Sequence, residues 1–124
     1  MKSYHWDELE SVTMRENFLR KLVAGERLTI ARTETEKGSY ICGRCYPHEA
    51  FIIIIDGLWK VQVDGRMILL GANQLLHLPP FMEHDVEALD HTLTLEILAQ
   101  PDPTHIGLME FDLPIEDENY LWGV

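Results

Sequence analysis

Residues 38–84 form a succession of short apolar runs separated by tight-turn residues, and no other feature restricts the fold as strongly. The runs occupy residues 51–55, 58–63, 67–70 and 75–78. Each is short for a helix, and the first two are rich in β-branched or aromatic side chains, which suit a pleated surface. Asp56-Gly57 and Asp64-Gly65 lie between runs, Gly71-Ala72-Asn73 follows the third, and Pro79-Pro80 closes the last. Asp-Gly supplies the positive φ of a two-residue primed turn, so the pair predicts two successive hairpins, a meander. Residues 51–55 read Phe-Ile-Ile-Ile-Ile. Such a run cannot alternate inside and outside, which predicts a strand covered on both faces at the centre of a closed or double-sheet barrel.

The flanks extend this all-β pattern. Residues 1–20 follow no clean period: a short turn or helix is expected at residues 6–9 and strand-like segments at 18–23. Gly25-Glu26 makes a turn, residues 28–33 alternate as a half-buried strand, and 34–38 form a polar loop. Beyond Pro80, residues 84–88 and 92–98 read as strands joined by a turn at 89–91. In the last strand Thr92, Thr94, Glu96 and Leu98 share one face, and Leu93, Leu95 and Ile97 share the other. Residues 104–124 are an acidic extension carrying Met109, Phe111, Tyr120, Leu121 and Trp122. With 124 residues and no linker, the expectation is one domain over 1–124, its barrel core at about 25–100.

A formal net charge of −11 argues against binding phosphate backbones or anionic lipid. The N-terminus has no apolar signal region and no stretch approaches membrane-spanning length, so a cytoplasmic protein with no membrane or nucleic-acid partner is expected. Apolar residues outside the barrel, including Trp6, Leu9, Phe111, Leu121 and Trp122, suggest a homodimer built through the N-terminal strands or the C-terminal extension.

The spacing of Gly38, Gly57, Pro79 and His84 resembles the cupins, small double-stranded β-helix (jelly-roll) barrels. Their first motif reads G-x5-H-x-H-x3-E-x6-G and their second G-x5-P-x-G-x2-H-x3-N. Here Arg44 and Tyr46 stand at the two His positions and Ala50 at the Glu. Asn73, Phe81 and Ala88 replace the outer Gly, inner Gly and Asn of the second motif. Pro47-His48-Glu49, Leu78-Pro79-Pro80 and His84 look most like the single-domain pectin-degradation type. In that type an Asp in the closing strand works beside the metal, and Leu95-Glu96-Ile97-Leu98 resembles its phrase with a longer acid.

The resemblance implies a metal site that these residues largely lack. Arg44 is a permanent cation and Ala50 has no donor atom. No cofactor is therefore expected; a divalent transition metal, if held at all, would fall to His84 and His48, with His77 as a further candidate. Cys42-Gly43-Arg44-Cys45 is a C-x-x-C on a strand, without the helix N-terminus that activates redox thiols, and reads as two ordinary thiols.

The alternative to a metal centre is organic. Arg44, Tyr46, His84 and Glu96 would converge in one apolar cup, with Arg44 and His48 binding a carboxylate or carbonyl and His84, Glu96 and Tyr46 handling protons. Phe81 and Trp59 would line the pocket, Phe81 plugging its mouth. This predicts a small-molecule-binding cupin, leaning towards metal-independent acid/base enzyme chemistry of isomerase or lyase type. Two rivals stay open: a metal-dependent sugar-acid isomerase or lyase using His48 and His84, and a non-catalytic ligand sensor or assembly module. A plainer alternative remains beside them, in which Arg44 and Glu96 merely neutralise each other.

Overall fold

The computed structural model describes residues 1–15 and 17–99. The extension at 104–124, with its expected packing residues, lies outside the described residues. A 3-10 turn at Trp6–Glu8 precedes ten strands: β1 (Val12–Arg15), β2 (Phe18–Ala24), β3 (Thr29–Thr35), β4 (Tyr40–Arg44), β5 (Ala50–Asp56), β6 (Leu58–Val63), β7 (Arg66–Gly71), β8 (Leu75–Leu78), β9 (His84–Ala88) and β10 (Thr92–Leu98). They form two antiparallel sheets, ordered β1-β2-β3-β10-β5-β8 and β4-β9-β6-β7. The sheets face each other across a core of Ile52, Ile54, Trp59, Val61, Leu70, Leu78, Val86 and Leu98. No helix among the described residues is long and apolar enough to cross a membrane.

Of the two forms expected, a closed or a double-sheet barrel, the chain takes the second: the ladders do not run from one sheet into the other, and the fold is a double-sheet jelly-roll. Two other expectations change. Asp64-Gly65 is the primed hairpin anticipated: φ is 52° at Asp64 and 73° at Gly65, and Val63 pairs with Arg66. Asp56-Gly57 is not a hairpin. Strand β5 pairs with β10 and β8, β6 pairs with β7 and β9, and the Asp-Gly step carries the chain between sheets. Gly57 holds φ 103° against the next strand, where a Cβ would fall 2.4 Å from the His91 carbonyl oxygen. Only glycine fits that corner.

Strand β5 is also not covered on both faces. Ala50, Ile52 and Ile54 are buried, whereas Phe51 and Ile55 are exposed. A four-isoleucine run hides its period because both faces of this sheet are apolar, for different reasons. The inward faces of β3 and β10 are the polar ones: Thr29, Thr33, Thr35, Thr92, Thr94 and Glu96 are all fully buried. Their apolar neighbours Ile30, Leu93, Leu95 and Ile97 point outward. On β3 and β10 the interior therefore receives a row of threonines and one glutamate, while Ile52, Ile54 and Leu78 of β5 and β8 keep the inward face of the same sheet apolar.

Candidate functional site

Arg44 reaches the interior because of a bulge. Strand β4 pairs Ile41 with Val86 and Arg44 with His84, so Cys42 and Gly43 together oppose Asp85. Gly43 has φ 73° and its N–H donates to Asp85 Oδ1 at 2.7 Å. Simple alternation from inward Ile41 would send Arg44 outward; the extra residue re-aims it inward, 1% exposed.

There it joins a cluster that holds one residue sequence reasoning missed. Arg20, on β2, is buried and donates from Nη2 to Glu96 Oε2 at 2.8 Å and to the Tyr46 hydroxyl at 3.3 Å, and from Nε to Thr33 Oγ1 at 3.2 Å. Arg44 Nη2 donates to Glu96 Oε1 at 3.3 Å and also to the Tyr46 hydroxyl. Tyr46 in turn donates to Glu96 Oε2 at 3.2 Å. The signal for Arg20 was available: it shares the strand face of Phe18 and Leu22, so its guanidinium had to enter the core.

Burial alone would push the Glu96 carboxyl up, but Arg20 and then Arg44 outweigh it and hold the carboxyl below the ordinary carboxylate range. Glu96 is thus an ionised anchor for two guanidinium groups. Both of its oxygens are engaged by guanidinium groups.

His84 is a further buried titratable group of this region. Its Nδ1 lies 3.1 Å from the Met82 carbonyl oxygen, which fixes the proton on Nδ1 and leaves Nε2 as a lone pair. Nε2 is buried with no hydrogen-bond partner. Burial, then the Arg44 charge, lowers the imidazole pKa to about 4, so the ring is neutral near pH 7. Its ring centroid stands 6.1 Å from that of Tyr46. A cleft of about 400 Å³ along the β6–β7 hairpin, lined by Gln62, Asp64, Arg66, Glu83 and Asp85, has His84 in its wall.

The remaining predicted residues separate. His48 is half-buried and stacks on the Tyr46 ring at 5.4 Å, so it borders the cluster. Trp59 does not. Its indole N–H donates to Thr35 Oγ1 at 3.0 Å, and Thr35 pairs with Thr92, four residues along β10 from Glu96, roughly 13 Å away. Trp59 is core at the other end of the sandwich. Phe81 is 70% exposed, and it neither plugs nor walls the site. Its backbone is left-handed, with φ 63°, as is that of Asn73, with φ 69°. His77 belongs to the outer surface, paired with Glu49 at 2.5 Å and stacked on Phe51. No disulfide joins Cys42, which is exposed, to Cys45, which is buried; burial and then Glu83 push the Cys45 thiol up, away from the thiolate.

Among the described residues no three His, Cys, Asp or Glu side chains gather as a metal set. The donor chemistry agrees: the buried carboxylate is held by two guanidinium groups, which would repel a divalent ion. The residues present do not fit the metal that the cupin resemblance implies.

No family model and no curated protein matches the sequence. The architecture does match solved structures. An RmlC-like cupin from Shewanella frigidimarina superposes with a TM-score of 0.75 at 15% identity, over 83% of this chain and 94% of that one. KdgF from Halomonas gives 0.73 at 17%, over 81% and 95%, and ectoine synthase from P. lautus 0.74 at 13%, over 82% and 80%. At these identities the likeness establishes the fold, and the fold is that of a small cupin.

Proposed function

From this cupin fold, we propose that the chain binds a small polar compound carrying a carboxylate or carbonyl group, and that it moves a proton on that compound without a metal ion. The observation that carries the reading is His84 Nε2, a buried, unprotonated acceptor with no hydrogen-bond partner, close enough to Arg44 to feel its charge and 6.1 Å, ring to ring, from the Tyr46 phenol. A ligand hydroxyl or acidic C–H would be directed to Nε2. Its carboxylate or carbonyl oxygen would meet the fork of Arg44, whose planar donors suit that geometry. The Tyr46 hydroxyl, donating to Glu96 and accepting from both arginines, helps hold the guanidinium groups in place, as Glu96 does.

The weak basicity of His84 is consistent with this role. Arg44 contributes to its depressed pKa. A ligand carboxylate seated on Arg44 would offset that charge and raise the imidazole towards the range where it works as a general base. Proton transfer would then depend on the correct ligand being bound.

A second reading, a non-catalytic binding module, is favoured by one observation: Arg20, Arg44, Tyr46, Glu96 and His84 are each no more than 2% exposed, and all but His84 are bonded to one another. A thermal-shift panel of small hydroxy and keto acids against the parent and Arg44→Met tests the binding claim. A cognate compound at a hundredfold excess over its Kd should stabilise the parent by about 2.7 kcal/mol and the variant much less. Absence of any Arg44-dependent stabilisation would remove the organic site. Turnover of the bound compound in chelator-treated buffer then separates enzyme from binder.

A further inference from the structure

Register lays Arg44, His84, Val63 and Arg66 side by side across the four-stranded sheet, each the end residue of its strand. One residue beyond this row stand Glu83, which precedes His84, and Asp64, which follows Val63. The cleft of about 400 Å³ lies at this end of the sheet, and its lining carries three carboxylates, Asp64, Glu83 and Asp85, against one guanidinium, Arg66. A smaller cavity of about 240 Å³ shares Val63, Asp64 and Arg66 with it and is otherwise mainly apolar, lined by Ile68, Leu76 and Met82. His84 lines the acidic cleft and not the apolar one.

Carboxylates on a strand end are by themselves an ordinary solvated rim. Here a second observation joins them: His84 is 1% exposed, stands in the same wall, and its Nε2 has no hydrogen-bond partner. The carboxylates also differ in what they already do. Asp85 accepts the Gly43 N–H at 2.7 Å and so holds the bulge that turns Arg44 inward. Among the described residues no ion pair engages Asp64 or Glu83. A simple carboxylic acid entering by this cleft meets repulsion twice, from a chain of net charge −11 and from a lining with three acids to one base. An ammonium group on the same molecule reverses the sign of the second effect. The strand grid puts Glu83 about 6 Å and Asp64 about 10 Å from Arg44, backbone to backbone, so one short molecule can touch both the acids and the arginine.

We propose that this cleft is the entrance to the site and that the ligand is a zwitterion: a short hydroxy or keto acid bearing an amino group, its ammonium held by Asp64 and Glu83 while its acid end meets Arg44. The proposal rests on the reading of Arg44 and His84 given above and narrows it from small acids in general to amino-bearing ones.

The test is calorimetric titration of the full chain with matched compounds: isoserine against lactate, and γ-amino-β-hydroxybutyrate against β-hydroxybutyrate, each pair differing in the amino group alone, with malate as a dianion. The parent is compared with Asp64→Asn combined with Glu83→Gln, and with Arg44→Met. Asparagine tolerates the φ of 52° at position 64, and Asp85 is left in place to keep the bulge. At least one amino compound should bind the parent at least about fivefold tighter than its amine-free partner and than malate, and the double variant should lose that preference. Should the double variant fold poorly, salt gives a second reading on the parent, where the preference should shrink severalfold from low to high ionic strength. Equal or tighter binding of the amine-free partners or malate, or a preference untouched by the double substitution or by salt, overturns the proposal alone so long as binding is lost in Arg44→Met. If no compound binds in an Arg44-dependent way, the reading of the site falls and the proposal falls with it.

Discussion

Acidification reads the state of His84 directly. In the unfolded chain its imidazole takes up a proton as pH falls through 6.5, whereas in the folded interior it resists until about 4. Between these values the unfolded state binds the extra proton, so stability is fully present above 6.5 and is lost as pH drops towards 4. The difference of about 2.5 pK units corresponds to about 3 kcal/mol at pH 4. The group is almost wholly buried, so solvent screening takes little from this figure. His84→Asn is the control, because its amide can still donate to the Met82 carbonyl while it cannot titrate. Urea unfolding at a series of pH values from 7 to 4 should show the parent losing about 3 kcal/mol more than His84→Asn. Glu96, whose carboxyl is held low mainly by Arg20 and Arg44, loses its contribution only as pH falls through its depressed value, and it does so in both proteins. Parallel stability curves for parent and variant would refute a buried neutral His84.

Removing the charge of Glu96 with Glu96→Gln leaves two buried guanidinium groups without their carboxylate and should cost about 3–5 kcal/mol by chemical unfolding. Gly57→Ala, which puts a Cβ against the His91 carbonyl and Thr92 at positive φ, should cost about 3 kcal/mol and lower Tm accordingly. Phe81→Gly should go the other way, gaining about 0.5–1 kcal/mol by calorimetry, because it relieves a left-handed backbone while giving up a side chain that is mostly in water.

Most strands were legible because apolar runs and turn residues are local signals. Their distribution between sheets was not. Asp56-Gly57 and Asp64-Gly65 are the same dipeptide, yet one crosses between sheets and the other closes a hairpin, and the difference lies in the packing of Gly57 on Thr92, remote in sequence. The site was half legible. Tyr46, His84 and Glu96 converge as their motif positions imply, and Arg44 converges through a bulge that alternation does not reveal. Arg20 was missed because no motif contains it, although its strand parity with Phe18 pointed inward. Phe81 was misplaced since the residue type suggested a plug, whereas the position demands a glycine-like backbone that turns the ring to solvent. Trp59 was placed in the pocket for its aromatic type, and its bond to the Thr35 hydroxyl sits at the far end.

The central claim is that Nε2 of His84 is the acceptor awaiting a ligand held by Arg44. Nitrogen NMR of the His84 ring, with the protein titrated by compounds that stabilise it, measures this at the atom concerned. The account predicts an Nδ1–H tautomer with pKa about 4 in the unliganded protein. It further predicts an Nε2 resonance that moves and a pKa that rises on binding, both lost in Arg44→Met. A stabilising ligand that leaves the Nε2 shift and the His84 pKa unchanged would contradict it.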